Sequence, residues 1–297
     1  MKSIIIFGGS GYVGKNLIRD FSKKGYKIIV PYQKQINEAN LRLFGSVGQI
    51  IPFHFTTLNN QKLLTLIKNA DVCINLKTTW ESNKEYLKTS IFDFNKDLIK
   101  VVKSSSIKNF IFFSGLGTEN ESTDRNQIIH ETEKLILKEL KNSLIIRPSV
   151  ILGNGDQFLS KLIPIFKISF FIPLFGNGSN KFQPVLINDV VEFVSNIVEE
   201  PNIEKQSFDL VGPEIFSYKE FYNQISDLMN KKRVLIRLPL AIVRPIVSIG
   251  EKFPFFPINS EQLSLFETDN ILKNKESGFD YLQISPKKVI SAIEKTL

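Results

Sequence analysis

The sequence predicts an α/β fold: a doubly wound parallel sheet with a smaller C-terminal α/β lobe. Three observations carry this expectation. A glycine-rich turn, Gly8-Gly9-Ser10-Gly11-Tyr12-Val13-Gly14, follows one short apolar run and opens an amphipathic one. Short apolar runs then alternate with longer amphipathic ones through the first half. Beyond about residue 150, glycines and prolines loosen the pattern.

The elements follow in order. Strands are expected at Ser3–Phe7, Lys27–Pro31, Gly48–Phe53, Ala70–Leu76, Asn109–Ser114 and Ser143–Arg147, and helices at Tyr12–Lys24, Asn60–Lys68, Tyr86–Ser104 and Gln127–Lys141. Each strand is apolar toward both sides of its pleat, as in a parallel sheet covered by helices. Right-handed crossovers then give the doubly wound order. Lys23 and Lys24 complement the first helix dipole, and Gly25 suits a left-handed cap. The expected division is 1–150 for the nucleotide domain and 151–297 for the lobe. Segments near Pro184–Ile187 and Ser207–Val211 read as returns to the main sheet. Lobe helices are expected near Tyr218–Met229, Pro239–Gly250 and Pro286–Lys295.

Of the 297 residues, 42% are hydrophobic and 23% charged, a globular composition that argues against disorder. The net charge of +8 suits anionic partners such as nucleotide phosphates or acidic headgroups, and equally a solvated lysine-rich surface. Nucleic acid is disfavoured, because no recognised module or aromatic-basic ladder accompanies the charge. Cys73 is the only cysteine, so no internal disulfide forms, and its apolar neighbours Val72 and Ile74 suggest a buried structural thiol. His54 and His130 are the only histidines, and no Cys/His/Asp cluster suggests zinc. The chain enters a strand at once, with no signal or transit peptide, so a cytoplasmic location is expected. The longest apolar stretches, Leu162–Phe175 and Val234–Ile249, are interrupted by basic residues and prolines and are too broken to span a bilayer.

The glycine turn carries the chemistry. Its spacing, G-x-x-G-x-x-G between a strand and a helix, lets backbone approach a pyrophosphate without a Cβ clash. First-turn amides then donate to phosphate oxygens, helped by the helix dipole. The fold expected is therefore a Rossmann-type doubly wound sheet holding a nicotinamide dinucleotide. An NAD-specific site places Asp or Glu after the second strand to accept from the ribose 2′-OH. Here that stretch is Val30-Pro31-Tyr32-Gln33-Lys34, with no carboxylate before Glu38. Lys34 can pair with a 2′-phosphate and Gln33 can donate to it, so NADPH (NADP) is favoured over NAD. Lysine is a point charge, so its discrimination is modest.

Further segments narrow the reading. They are Asn40-Leu41-Arg42, Gly45-Ser46-Val47-Gly48-Gln49, Ile74-Asn75-Leu76, Arg147-Pro148-Ser149, Gly155-Asp156-Gln157-Phe158 and Gln183-Pro184-Val185. Asn188-Asp189-Val190, Val211-Gly212-Pro213-Glu214, Glu261-Gln262-Leu263 and Asp269-Asn270 continue the set. With the glycine turn, the chain resembles the NADPH-binding accessory subunits of respiratory complex I and their bacterial relatives, an atypical, extended group of short-chain dehydrogenases/reductases. The resemblance covers nearly the whole chain. It implies that Gly8, Ser10, Gly11, Tyr12, Val13 and Gly14 form the pyrophosphate turn and that Gln33 and Lys34 meet the 2′-phosphate. Thr56 and Leu58 would flank the adenine, although the family often has Asp where Thr56 stands. Asn75, Leu76 and Lys77 match the loop after the fourth strand, and Ser114 matches the serine ending the fifth. Pro148, Ser149 and Val150 match the segment facing the nicotinamide.

The catalytic pair departs from the family. Active short-chain reductases carry Tyr-x-x-x-Lys on the helix after the fifth strand, where four-residue spacing puts both groups on one face. The lysine lowers the phenol from about 10, so that it exchanges a proton near neutrality. Here the matching positions are Arg125 and Ile129, or, shifted by one, Asn126 and His130. None of the seven tyrosines has a lysine four residues later. His130 stands either as a substitute acid/base or as a surface histidine. No catalytic residue is assigned.

Two functions follow. One is a non-catalytic, NADP(H)-binding accessory or assembly subunit of a membrane-bound NADH:quinone oxidoreductase. Its partners would be other subunits and an anionic membrane surface, on the inner face of the cytoplasmic membrane or on the matrix side of a processed organellar protein. The apolar and basic mixture in Val234–Leu240, Ile242–Val247 and Phe253–Phe256 suits peripheral attachment, and equally ordinary lobe core or a subunit interface. The other is an NADP-dependent reductase or epimerase acting on a sugar nucleotide, isoprenoid or lipid.

Overall fold

The computed structural model describes residues 2–294 except 201, 254, 255, 257, 274 and 275. In the first half, strands β1 (Ser3–Phe7), β2 (Lys27–Tyr32), β3 (Ile50–His54), β4 (Val72–Asn75), β5 (Asn109–Phe113) and β6 (Ser143–Pro148) stand close to their expected positions. Between them lie α1 (Tyr12–Lys23), α2 (Glu38–Arg42), α3 (Gln61–Lys68), α4 (Lys84–Leu87), a π-helical turn at Lys88–Asp93, α5 (Phe94–Lys103) and α6 (Asp124–Glu139). The second half adds β7 (Ile151–Leu152), α7 (Leu159–Ile168), β8 (Phe171–Phe175), β9 (Lys181–Phe182), β10 (Val185–Leu186), α8 (Ile187–Glu199), β11 (Ser207–Leu210) and β12 (Phe216–Ser217). It ends with α9 (Tyr218–Leu228), β13 (Val234–Leu238), α10 (Leu240–Gly250), α11 (Ser260–Leu263), α12 (Gly278–Tyr281) and α13 (Val289–Glu294).

The main sheet has seven strands in the order β11-β6-β5-β4-β1-β2-β3, all paired in parallel. Alternate residues of one strand feed opposite cores. Ile4 and Ile6 pack with α1 and α8 residues such as Leu17 and Phe193. Ile5 and Phe7 pack with α3 and α5 residues such as Leu63 and Leu98. Burial on both faces is why these strands read as continuous apolar runs. Cys73 is the buried thiol expected there, and burial pushes its pKa up. A third core, with Phe182 stacked on Tyr218 at 4.6 Å, belongs to the second half.

Gly25 (φ 79°) stops α1 as expected, with the Tyr26 N–H donating to Phe21 O at 3.0 Å. Pro31, which has no N–H to donate, lies beyond Ile29, the last β2 residue paired with β1, while β3 still pairs alongside it. Buried Gln49 explains the Gly48-Gln49 segment. Its amide donates to Ser22 O (2.7 Å) and Tyr26 O (2.9 Å), pinning the α1–β2 connection.

Some expectations need correction. Of the two expected returns to the main sheet, only β11 makes one. β10 pairs with β7 instead, because the outer flank of β6 is already taken by β11 through Pro148. The run expected as one helix over 86–104 begins at Lys84 and contains a π-helical turn. α6 starts three residues early because the Thr123 side chain caps it, accepting from the Asn126 N–H. The lobe helices match α9, α10 and α13, although Lys295 lies outside the described residues, as do Pro254 and Phe255 of the apolar segment.

Candidate functional site

The glycine turn folds as its spacing predicts. Gly8 takes a left-handed φ of 77°, and the Gly11 N–H closes the turn onto Gly8 O at 3.1 Å. Gly14 permits the closest approach: a Cβ there would lie 2.5 Å from Gly9 Cα and 2.6 Å from Gly9 O. Gly11 caps α1 with no side-chain hydrogen bond, and the first turn holds no acidic residue. The first-turn amides, including those of Tyr12, Val13 and Gly14, thus lack both an intrahelical acceptor and a competing carboxylate.

Beside this turn, the carboxyl ends of β1, β2 and β4 frame an open cleft of ≈ 200 Å³ lined by Gly8, Ser10, Gln33, Lys34, Phe55 and Lys77, among others. No carboxylate lines it. Glu38, the first carboxylate after β2, accepts from the Tyr32 hydroxyl and pairs with Arg42 at 2.6 Å. It is therefore occupied elsewhere. The Gln33 side-chain N–H donates to Thr56 O at 3.2 Å, which brings Thr56 to the rim through its backbone. Leu58 packs into the core beside α3 and α5.

Asn75 is fully buried. Its oxygen accepts from the Lys77 N–H (2.9 Å), and its amide donates to Asn95 (2.8 Å), which donates in turn to Ile91 O (2.7 Å). The π-helical turn brings Asn95 into this position, a use such turns often have. Asn75 thus shapes the loop carrying Leu76 and Lys77, and the Leu76 backbone packs 3.2 Å from where a Cβ on Gly8 would sit. Asn95 was missed from sequence, although it lies between Ile91 and Leu98 on an otherwise apolar helix face.

The remaining expected residues do not line this cleft. Ser114 is buried and shares a hydrogen bond with Thr118 at 3.3 Å. The Ser149 hydroxyl donates to Asn270 at 2.9 Å, with Pro148 buried and Val150 half-buried beside it. Asn270 also donates to Leu116 O (3.0 Å), so the Asp269-Asn270 segment ties the second half to the β5 loop.

The catalytic position is built from other chemistry. Arg125 lies buried with its guanidinium 3.9 Å above the Trp80 ring and donates to Thr79 O at 2.7 Å. Burial pushes its pKa down to about 10, opposed by Glu261, so it remains a cation at neutral pH and supplies no titrating proton. Ile129 is fully buried. His130 lies between Glu133 (3.3 Å) and Glu121 (3.9 Å). Glu133 also takes two hydrogen bonds from Arg147, at 2.9 and 2.6 Å. Among the described residues no cluster is suited to hold a metal.

Sheet order, glycine turn and cleft together define a Rossmann-type, NAD(P)-binding fold. Residues 4–135 match the NAD dependent epimerase/dehydratase family. Over the whole length, the chain is similar to the mitochondrial NADH dehydrogenase (ubiquinone) 1 alpha subcomplex subunit 9 of Arabidopsis thaliana, at 25% identity over 96% of this chain and 74% of that one. It is also similar to the 40 kDa subunit of mitochondrial NADH-ubiquinone oxidoreductase from Neurospora crassa, at 22% identity over 95% and 75%. These relatives bear out the resemblance read from the sequence. Among solved structures, a variant UDP-glucuronic acid 4-epimerase from Bacillus cereus, in complex with NAD, superposes with a TM-score of 0.77 at 16% identity, covering 98% of this chain and 96% of that one. The dTDP-glucose 4,6-dehydratase from Bacillus anthracis, also with NAD, gives 0.72 at 16% over 100% and 95%. At such identities the structures speak for the fold alone.

Proposed function

We propose that the chain is an NADP(H)-binding, non-catalytic accessory subunit of a membrane-bound NADH:quinone oxidoreductase, peripheral on the membrane. One observation carries this reading: the glycine turn and its cleft are present, while the positions matching the catalytic pair hold Arg125 and Ile129 or, shifted by one, Asn126 and His130. The glycine turn and α1 would hold the pyrophosphate, and Gln33 and Lys34 the 2′-phosphate. A bound nicotinamide would supply hydride chemistry, and the sequence carries no Tyr-x-x-x-Lys pair to move the accompanying proton. The similarity to complex I subunits supports the partner. A tightly held cofactor would then serve stability, since a ligand bound only by the native state favours folding. The division at residue 150 remains part of this reading, with the second half serving attachment.

That second half offers a surface for the membrane. Ile242, Ile246 and Ile249, at i, i+4 and i+7 on α10, are 60%, 55% and 63% exposed. Phe170 and Phe171 are also exposed at the start of β8. The segments 158–180 and 228–250, which supply these residues, hold seven cations (Lys161, Lys167, Lys231, Lys232, Arg233, Arg237 and Arg244) and no carboxylate. Arg244 pairs with Glu267. Apolar bulk among basic side chains suits an anionic headgroup layer. Among the described residues no helix is long and apolar enough to cross a membrane.

The test is cofactor content against turnover. Protein purified from its source should release NADP(H) in stoichiometric amount on denaturation, and should not consume NADPH with small carbonyl acceptors. Steady consumption that disappears in His130→Ala would contradict the non-catalytic reading.

A further inference from the structure

We propose that Lys77, carried by the end of β4, is a second cation for the ribose 2′-phosphate and, together with Lys34, sets a preference for NADP(H) over NAD(H). The inference rests on the cofactor reading above and assigns the residue that gives it specificity.

The argument is geometric. Lys77 stands across the cleft from the end of β2, and both lysines line that cleft. The Lys77 ammonium donates to the Gln33 side-chain oxygen at 2.7 Å and sits 3.8 Å from the centre of the Phe94 ring. Gln33 is itself oriented by its bond to Thr56 O. The backbone beneath Lys77 is fixed through the buried pair Asn75 and Asn95. A normally flexible side chain is therefore held with its charge at the rim.

This placement is unfavourable without an anion. Burial, and secondarily the Lys34 charge, push the Lys77 ammonium down to about 8. Among the described residues Lys34 is the one charge that acts on it; Gln33 just after β2, Phe94 from α5 and Asn75 from β4 are neutral. A dianion placed between two such cations relieves their repulsion and gains charge-assisted hydrogen bonds. A ribose hydroxyl offers neither. Two point charges arriving from different strands also compensate for the fork that a single lysine lacks.

The experiment compares NADPH and NADH binding by fluorescence titration in wild type, Lys77→Met and Lys77→Arg, each checked for an unchanged melting temperature. Methionine keeps the apolar stem against Phe94 and removes the charge. Lys77→Met should weaken NADPH binding by roughly tenfold to a hundredfold, the worth of one charge-assisted hydrogen bond, and leave NADH unchanged. Lys77→Arg should retain the preference. Adenosine 2′,5′-bisphosphate should follow NADPH, and adenosine 5′-monophosphate should follow NADH. The wild-type preference should decline as pH rises through about 8, where the free protein loses the Lys77 proton, and the decline should be absent in Lys77→Met. Equal losses for both nucleotides, or no loss for either, would overturn the assignment while leaving the cofactor reading intact. A wild-type protein that binds neither nucleotide would overturn both.

Discussion

Gly14→Ala should weaken dinucleotide binding by at least roughly a hundredfold, the loss expected when two hydrogen bonds to a charged ligand go. The added Cβ would meet Gly9 Cα at 2.5 Å, Gly9 O at 2.6 Å and Gly8 O at 2.7 Å. These are backbone atoms of the turn itself and cannot rotate aside. Either α1 moves away from β1 or the turn opens, and both displace the first-turn amides. Overpacking of this kind costs about 1–3 kcal/mol of stability as well. Gly25→Ala is the control. It places a side chain at φ 79° but meets nothing within 4 Å. It should therefore cost about 1–2 kcal/mol of backbone strain and leave binding unchanged. Calorimetric melting and NADPH titration of both variants separate the effects. Unchanged NADPH affinity in Gly14→Ala would mean that this turn is not the pyrophosphate site.

The second large effect is on stability. Glu133→Ala should cost about 3–5 kcal/mol, the range for removing one partner of a buried ion pair. Glu133 is 1% exposed and receives both hydrogen bonds of the Arg147 guanidinium. Without it, Arg147 keeps Asp209 at 3.7 Å and a weaker attraction to Glu119, and a largely buried cation loses its hydrogen-bonded anion. The desolvation cost of Arg147 then exceeds what remains of its pairing. His130 and Thr118 lose a shared acceptor too. Urea unfolding monitored by circular dichroism measures the loss. A change below about 1 kcal/mol would place the pair with weak surface bridges.

The parts of the site legible in the sequence were those whose chemistry is local. The strand, glycine turn and helix from Ser3 to Lys23 form a contiguous backbone device, so its spacing reports its geometry. The absence of a carboxylate after β2 was equally visible, as were Gln33 and Lys34. Lys77 was visible only as part of a loop. Its role depends on Gln33 and Phe94, which only the folded sheet brings beside it. The contact of Asn75 to Asn95 was not legible, because it depends on a π-helical turn that ordinary helical periodicity does not announce. Glu133 and Arg147 are 14 residues apart, on a helix and the following strand, and nothing local pairs them. The partners of the Ser114 and Ser149 hydroxyls, Thr118 and Asn270, were not visible from sequence. The same limit explains β10, whose two residues give no hint of which strand they join.

The absence of the catalytic pair was legible, whereas its replacement was not. Arg125 stacked on Trp80 links α6 to the loop after β4. Glu261 approaches the same group from α11, accepting from the Arg125 backbone N–H at 3.4 Å. Arg125, at one of the positions that matches the family's catalytic pair, here joins three separated segments.

The most direct measurement is a mild-detergent native gel of membranes from the source cells, probed for this chain and stained for NADH:quinone oxidoreductase activity. The account predicts that the chain comigrates with that activity, and that Ile246→Asp combined with Ile249→Asp releases it as a folded, NADPH-binding protein. A wild-type chain that runs free of the oxidoreductase would contradict the account.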